Sequence, residues 1–518
     1  MRRPLALAVA ALALLTACTS TGTPGGDGIS TPGVAGSYEP GTLRVLASSE
    51  LSDMTPVLER VEKDTGIKVR PVYLGTLDAI DLLAKGRADG TYDALWLSSN
   101  DYLRLRPDAA KKVVSETPVM SSPVAIGIKS TSLKALGWKP DDVTWAQVEQ
   151  AVQDGGLTYG MTDPSRSNSG FSTLVAVASA LSGAQSALTD ADVTKATPRL
   201  KEFFQGQKLT SGSSGWLAAA YDRRGNVDAL LNYESVLKGI PGLTVIRPRD
   251  GVVTADYPLS SLAATDTTVR EDVRRLAEAL RTPEIQREIT ERTHRRPVVP
   301  SVTPAAGLDT DRRRELPFPG SRSVADGLLD SYENELRRPS RTVYVLDTSG
   351  SMEGDRLERL KTALTGLTGD FREREEVTLM PFGSDVKSVR THVVDPADPR
   401  SGLDGIREDT AGLEADGDTA IYTSVQKAYE QLRTEKDAFT SIVLMTDGEN
   451  TTGADAGEFD DFYRGLSGPQ QQIPVFPILF GDSDREELEH IADLTGGRLF
   501  DARQGSLDGA FEEIRGYQ

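Results

Sequence analysis

The sequence has very little cysteine and histidine, and it has no excess of basic residues. Cys18 is the only cysteine among the 518 residues, so neither an internal disulfide nor a cysteine-based zinc site can form. The three histidines, His294, His392 and His490, stand far apart on different predicted elements. The formal charge of −19 argues against nucleic acid as a partner, because a protein that binds a polyanion needs a basic face.

Sequence motifs of common catalytic sites are also missing. There is no HExxH zinc motif, no GxxxxGK[ST] phosphate loop and no GxSxG motif beside a predicted strand. No segment after the N-terminal one has 18 uncharged apolar residues in a row, so no transmembrane helix is predicted. These absences predict a binding protein that is not an enzyme.

The first eighteen residues have the pattern of a secretory signal peptide. Arg2 and Arg3 precede an apolar run, residues 5–15, that is too short to span a bilayer. The run ends in Leu-Thr-Ala-Cys, which resembles the bacterial lipobox. The resemblance implies cleavage before Cys18 and a diacylglyceryl group on its thiol, and two acyl chains hold a protein firmly to a membrane. An ordinary secretory peptide with a chance cysteine is the alternative.

Residues 19–40 consist mostly of Gly, Ser, Thr and Pro. Such a segment buries too little apolar surface to fold, so we predict a disordered tether. A flexible coil of this length reaches roughly 25 Å. The folded part is therefore expected at the cell membrane, lipid-anchored on the extracytoplasmic face.

Residues 41–300 predict a first folded region in which strands and helices alternate. Residues 42–47, 67–73 and 92–97 are apolar runs typical of buried strands, and residues 51–65 and 77–85 have helical spacing. This alternation predicts a parallel sheet covered on both faces. Ligands of such sheets bind beyond the carboxyl ends of the strands.

Short polar side chains cluster at those strand ends. Serine and asparagine are also the preferred helix caps, so any one cluster favours neither function. Four clusters at corresponding positions favour a ligand site.

The motifs VLASSEL, DALWLSSNDYL and TDPSRSNSG resemble those of the type 2 periplasmic solute-binding family, which includes molybdate- and phosphate-type binding proteins. The resemblance implies two α/β lobes that close over a ligand. By position, the residues that would face the cleft are Ser48, Ser49, Ser98, Ser99, Ser122, Ser165, Arg166, Ser169 and Tyr233. Hydroxyl groups suit a small oxyanion or polar solute, and Arg166 could pair with a carboxylate or phosphate. The sequence does not identify the solute.

Residues 301–340 predict a linker followed by a packing helix. Residues 312–320 are polar and interrupted by proline, which marks a boundary. Five apolar residues then share one helical face, which we expect to pack on a folded domain: Val324, Leu328, Leu329, Tyr332 and Leu336.

Residues 341–518 contain the strongest motif of the chain. An apolar strand, residues 342–346, leads into Asp347, Ser349 and Ser351, and a second, residues 441–445, leads into Thr446 and Asp447. Thr419 begins a predicted helix between them. Carboxylate and hydroxyl oxygens from three loops suit a hard divalent cation such as Mg²⁺.

This arrangement resembles the metal-ion-dependent adhesion site of von Willebrand factor type A domains. Its pattern is Asp-x-Ser-x-Ser, then a distant Thr, then an Asp, and Asp347, Ser349, Ser351, Thr419 and Asp447 match every position. The resemblance implies a doubly wound, Rossmann-like sheet and a bound Mg²⁺, Mn²⁺ or Ca²⁺. It also implies a vacant coordination position for the carboxylate of a protein partner. A polar turn that caps the next helix without metal is the alternative.

Three functions remain open from the sequence. The chain is interpreted first as a surface protein that engages a partner through metal and recognises a solute or partner with its first domain. A substrate-binding lipoprotein of an ABC transporter is the second. A first domain whose cleft is only structural is the third. Asp347 also stands where haloacid-dehalogenase-type phosphatases carry their phosphorylated aspartate, but that family has Asp-x-Asp, and Ser349 occupies the second position.

Overall fold

The computed structural model describes residues 41–517, apart from residues 369–370, 372–374, 396, 433–437, 482 and 504–506. The predicted signal peptide, Cys18 and the predicted tether lie outside the described residues. Every helix in the described part of the chain is too short or too polar to cross a bilayer.

Strands and helices alternate along both folded regions. The strands are, in chain order, β1 (Thr42–Ser48), β2 (Lys68–Leu74), β3 (Ala94–Trp96), β4 (Val113–Pro118), β5 (Met120–Lys129), β6 (Tyr159–Thr162), β7 (Gln207–Ser211), β8 (Ala229–Tyr233), β9 (Leu243–Ile246), β10 (Thr254–Ala255), β11 (Pro258–Leu262), β12 (Arg296–Pro297), β13 (Ser340–Asp347), β14 (Glu375–Phe382), β15 (Arg390–Val394), β16 (Phe439–Thr446), β17 (Val475–Leu479) and β18 (Phe500–Asp501). The α-helices are α1 (Thr55–Thr65), α2 (Thr76–Ala84), α3 (Asp101–Arg104), α4 (Pro107–Ala110), α5 (Ser130–Ala135), α6 (Trp145–Gln153), α7 (Asn168–Ser182), α8 (Asp190–Phe204), α9 (Ser214–Arg224), α10 (Glu234–Lys238), α11 (Thr267–Leu280), α12 (Pro283–Thr293), α13 (Arg322–Ser331), α14 (Asp355–Leu367), α15 (Pro399–Ala411), α16 (Ile421–Gln431), α17 (Ala456–Gly465), α18 (Arg485–Thr495) and α19 (Leu507–Arg515).

The first region forms two lobes, each built on its own sheet. The first sheet has the order β2-β1-β3-β11-β4, and the second has the order β10-β5-β8-β6-β7, with β9 and β12 also paired to β5. The prediction of a wholly parallel sheet is wrong. β11 runs antiparallel to β3 and β4, and β5 runs antiparallel to β8. β11 enters the first sheet after the chain has crossed back from the second lobe, which sets its reversed direction.

Two segments that cross between the lobes have strained backbone. Tyr257, between β10 and β11, has φ 45°, and His294, before β12, has φ 55°. Residues other than glycine rarely adopt this left-handed conformation, and the surrounding contacts must hold them there. Arg295 supplies such contacts, because its buried guanidinium binds Asp53 at 2.7 Å and lies 4.9 Å from the Tyr257 ring centroid. The crossings are therefore tied to each other.

The helix α13 packs on the first region, as its apolar face predicts. Its residues Val324 and Leu328 join the same buried cluster as Phe204 of α8. Tyr332, which follows α13, meets Phe204 edge-on at 5.1 Å between ring centroids and donates a hydrogen bond to Gln207. This burial holds the connecting segment against the second lobe.

The second region is a doubly wound sheet with the order β15-β14-β13-β16-β17-β18. The central strand β13 pairs in parallel with β14 and β16, and only the edge strand β15 in the described sheet runs antiparallel to its neighbour β14. Tyr344 and Leu346 of β13 pack into the core on one face, and Val343 and Val345 pack into the core on the other. Alternating apolar side chains bury both faces, which confirms the predicted α/β architecture.

The helix α9 of the second lobe contacts the second region. Its Trp216 ring stacks on Tyr517 with centroids 6.4 Å apart, and the Arg498 guanidinium lies 4.2 Å from the Trp216 centroid. Arg223 also donates a hydrogen bond to the carbonyl of Gly497. The last described residues of the chain therefore rest on the first region.

Candidate metal centre and solute cleft

Two aspartates meet at the carboxyl edge of the second region's sheet. Asp347 is the last residue of β13, and Asp447 directly follows β16. β13 and β16 are parallel neighbours with Leu346 opposite Met445, so both carboxylates emerge at the same edge. Both side chains are buried.

Hydroxyl groups link these carboxylates into one cluster. The Oγ atoms of Ser349 and Ser351 lie 3.0 Å apart, and Ser351 Oγ donates to Asp447 Oδ1 at 2.8 Å. Thr446 Oγ1 donates to Asp347 Oδ2 at 2.6 Å, and the Ser349 amide donates to Asp347 Oδ1 at 2.8 Å. Every oxygen of this cluster belongs to a hard donor group.

Thr419 reaches the cluster from a third loop. The amide of Gly350 donates to the carbonyl of Gly417 at 2.8 Å, which brings the two loops together. A Cβ placed on Gly448 would lie 3.8 Å from Thr419 Oγ1 and 3.9 Å from Ser351 Oγ. The five predicted ligand positions therefore gather at one edge of the sheet.

The donor set of this cluster fits a hard divalent cation. Two carboxylates and three hydroxyls offer only oxygen ligands, the set that Mg²⁺, Mn²⁺ and Ca²⁺ prefer. Among the described residues, no three His, Cys, Asp or Glu side chains form a metal cluster. The candidate site therefore depends on its serine and threonine oxygens.

Charge at the cluster is partly offset by one basic side chain, Arg356, that the sequence motif does not include. Burial raises the pKa of Asp347, while hydrogen bonds from Thr446 and Ser349 oppose that rise. Arg356 Nη1 donates to Asp447 Oδ2 at 2.6 Å. Arg356 lies in the first turn of α14, where the helix dipole disfavours a cation unless an anion is near. That position was the signal that could have pointed to Arg356.

An acid-lined cavity of the second region includes Glu449 and Asn450 from the loop after β16. Its volume is about 460 Å³, and its lining residues are Tyr422, Glu449, Asn450, Ala456, Gly457, Asp460, Asp484, Glu487 and His490. Burial raises the pKa of Glu487, and His490 binds Asp460 at 2.7 Å. The lining charge favours cationic over anionic groups.

In the first region, hydroxyls of the first lobe bind one another at the strand ends. Ser48 Oγ lies 2.7 Å from Thr76 Oγ1, which lies 2.9 Å from Ser98 Oγ. The Ser98 amide also donates to Ser48 Oγ at 2.9 Å. Ser48 and Ser98, predicted to face one cleft, therefore share one buried network, which Thr76 completes.

The second lobe has a matching hydroxyl network. Ser169 Oγ lies 2.8 Å from Thr162 Oγ1 and accepts a 2.7 Å hydrogen bond from Ser214 Oγ. Asn168 Nδ2 donates to Tyr233 OH at 2.9 Å. Ser214 was missed, although its Ser-Ser pair between a strand and a helix repeats the pattern of the recognised clusters.

The two lobes contact each other directly at this level. The Leu77 amide donates to the carbonyl of Arg166 at 2.9 Å, and the Gly215 amide donates to Ser49 Oγ at 3.5 Å. A Cβ on Gly75 would lie 2.5 Å from the Arg166 carbonyl oxygen, so only glycine permits this approach. The lobes are closed on each other.

Three of the predicted cleft residues form hydrogen bonds within their own lobe. Ser99 Oγ accepts from the Asp101 amide, and Ser165 Oγ donates to Asp163. Ser122 Oγ accepts from the Ser235 amide within the second lobe. Ser99 therefore forms a local turn before α3, whose N-cap is Asn100.

Buried polar atoms near the lobe interface lack hydrogen-bond partners. They include Glu50 Oε1, Asn168 Oδ1 and Tyr257 OH. Burial raises the pKa of Glu50 to about 7. Buried polar atoms are nearly always paired, so these atoms mark positions where a solute or ordered water would supply the missing hydrogen bonds.

Comparisons with known proteins divide the chain in the same way. A family model described as bacterial extracellular solute-binding protein matches residues 43–292. A second model, von Willebrand factor type A domain, matches residues 342–449.

Each of three similar proteins matches only part of the chain. An uncharacterized protein of Synechocystis sp. is 29% identical over 32% of this chain and 38% of its own length. Human inter-alpha-trypsin inhibitor heavy chain H4 is 28% identical over 26% of this chain and 15% of its own length. A periplasmic binding protein from Actinobacillus pleuropneumoniae is 14% identical, covers 57% of this chain and 99% of its own, and has a TM-score of 0.45. The chain thus spans well under half the length of these two curated relatives.

Both matched families are binding modules. The chain therefore contains a domain of the bacterial extracellular solute-binding family at residues 43–292, followed by a von Willebrand factor type A domain at residues 342–449.

Proposed function

We propose that the chain is a lipid-anchored, extracytoplasmic binding protein whose type A domain engages a protein partner through a divalent metal. The gathering of Asp347, Ser349, Ser351, Thr419 and Asp447 at one sheet edge carries this proposal. A bound Mg²⁺ would supply a Lewis acid that attracts a partner's carboxylate. Ser349 and Ser351 are the proposed direct ligands, with Thr419 and the two aspartates binding directly or through water.

We propose that the first domain recognises a small polar or anionic solute between its lobes. The family match over residues 43–292 supports this function. The hydroxyl networks around Ser98 and Ser169 support it as well, because they lie where the helices α2, α7 and α9 begin. Free N–H groups at helix N-termini attract polar and anionic groups.

Delivery of solute to an ABC permease is the second candidate function. The solute-binding family match favours it. The joined type A domain favours the first proposal, because handing a solute to a permease needs no metal-dependent adhesion module.

A pull-down from membrane extract with the full chain as bait separates these functions. A partner captured in Mg²⁺ and lost in EDTA supports metal-dependent engagement. Capture of a permease that is equally strong in EDTA would reject it and favour solute delivery.

The lipid anchor requires its own test, because Cys18 lies outside the described residues. Replacing Cys18 by Ser should release the protein from the membrane fraction into the medium. Unchanged membrane fractionation of the variant would reject lipidation.

A further inference from the structure

Arg356 forms an ion pair with Asp447 at the candidate metal centre. Its guanidinium Nη1 lies 2.6 Å from Asp447 Oδ2, and the Asp447 side chain is fully buried. Arg356 is 37% exposed, so its charge lies at the mouth of the cluster. This pair joins α14 to the loop after β16.

Asp447 divides its two oxygens between different partners. Oδ1 accepts the Ser351 hydroxyl hydrogen at 2.8 Å, and Oδ2 accepts from Arg356. Because Ser351 donates its hydrogen to Asp447, its lone pairs remain available for a cation. Asp447 therefore orients one proposed ligand while Arg356 offsets its charge.

The guanidinium charge opposes a divalent cation at the same cluster. The hydroxyls of Ser349 and Ser351 lie 3.0 Å apart, and Asp447, bound to Ser351, also binds Arg356. A cation held by these hydroxyls would therefore lie within a few ångströms of another positive charge. Charges in partly buried surroundings are screened much less than charges in bulk water.

We propose that Arg356 is an affinity-setting residue that weakens binding of the bare metal ion at this centre. Because Arg356 offsets the charge of Asp447, Asp347 supplies the remaining negative charge of the five-residue cluster. The ion is then held loosely until another carboxylate adds charge. This inference rests on the proposed metal-dependent function.

The test is calorimetric titration of Mn²⁺ into the full chain and its variants. Arg356→Gln should bind Mn²⁺ about tenfold more tightly than wild type, because it removes a positive charge close to the ion in partly buried surroundings. Arg356→Lys, which keeps the charge, should bind like wild type. Arg359→Gln is the matched control, because Arg359 lies on the same helix with its guanidinium over the Phe480 ring at 4.6 Å.

Each result of the titration either supports or rejects the proposed role of Arg356. Tighter binding by Arg356→Gln alone supports the proposal. Equal or weaker binding by Arg356→Gln in a chain that does bind Mn²⁺ overturns it, and so does an equal gain in the Arg359 control. No Mn²⁺ binding by any of these chains rejects the metal centre itself, and the inference with it. Thermal unfolding of each variant verifies that it is folded.

Discussion

The hydroxyl of Thr446 donates a 2.6 Å hydrogen bond to Asp347, although 99 residues separate the two in the chain. Both residues end neighbouring parallel strands, so the bond fixes the Asp347 carboxylate at the sheet edge. Asp347→Ala should abolish Mn²⁺ binding by the full chain, as measured by calorimetry. The domain should stay folded, because the substitution removes a buried carboxylate whose pKa burial raises.

Asp418 provides the control for that experiment. It is an exposed acid one residue before Thr419, so Asp418→Ala changes net charge equally without touching the five-residue cluster. Mn²⁺ binding that is equal in wild type and Asp347→Ala would contradict the proposed centre. A loss of Mn²⁺ binding that also appears in Asp418→Ala would indicate that the net charge of the protein, and not the cluster, determines binding.

Glu50 makes stability depend on pH. Its pKa is raised from 4.5 to about 7 by burial, so between these values the unfolded chain releases a proton that the folded chain retains. The free energy of unfolding therefore falls as pH rises through this window and stays low above it. Glu50→Gln should abolish this loss of stability with pH. It should raise the free energy of unfolding at pH 8 by about 3 kcal/mol.

Urea unfolding of wild type and Glu50→Gln at pH 4.5 and pH 8 measures this effect. Glu59, on the nearby helix α1, is exposed, and Glu59→Gln serves as the control with no expected change in pH dependence. Parallel pH profiles for wild type and Glu50→Gln would contradict the prediction.

A buried ionic cluster joins two segments of the second region to the connecting segment that precedes it. Glu375 at the start of β14 binds Arg515 of α19 at 2.6 Å and Arg337 at 3.2 Å, and all three are buried. Glu375→Ala removes the carboxylate between two buried guanidinium groups. We expect it to destabilise the domain by about 3–5 kcal/mol.

Chemical denaturation of the full chain checks the size of that loss. The exposed pair of Lys427 and Asp385 offers the contrast, because surface ion pairs contribute about 0–1 kcal/mol. An effect of Glu375→Ala no larger than that of Asp385→Ala would show that the buried cluster contributes little.

The stack of Trp216 on Tyr517 joins the two domains. Trp216→Ala removes this stack and the contact with Arg498, and aromatic and cation–π contacts of this kind contribute about 0.5–2 kcal/mol each. Calorimetric unfolding should then separate the two domains into more distinct transitions. A double-mutant cycle with Tyr517→Ala measures the coupling, and a coupling energy near zero would show that the stack does not stabilise the contact.

Local features of the fold were predictable because they depend on local sequence. The apolar runs of β13 and β16 and the aspartates after them follow from residue pattern alone. The meeting of Thr419 with these aspartates required the family resemblance, since a helix start gives no sign of its spatial neighbours.

Features set by tertiary geometry were not predictable. The reversed direction of β11 follows from a crossing between lobes that no local pattern encodes. The left-handed backbone of Tyr257 depends on Arg295, which lies far along the chain, and the binding of Arg356 to Asp447 joins residues 91 positions apart.

The close approach of Gly516 to the loop before α9 limits how the protein can be labelled. A Cβ at Gly516 would lie 2.4 Å from the Cα of Gly212 and 3.2 Å from the Arg166 side chain. A side chain or label introduced at position 516 would therefore press against the loop before α9 and against Arg166. The outer strand β15 is a better attachment point, because its Val393 is 54% exposed.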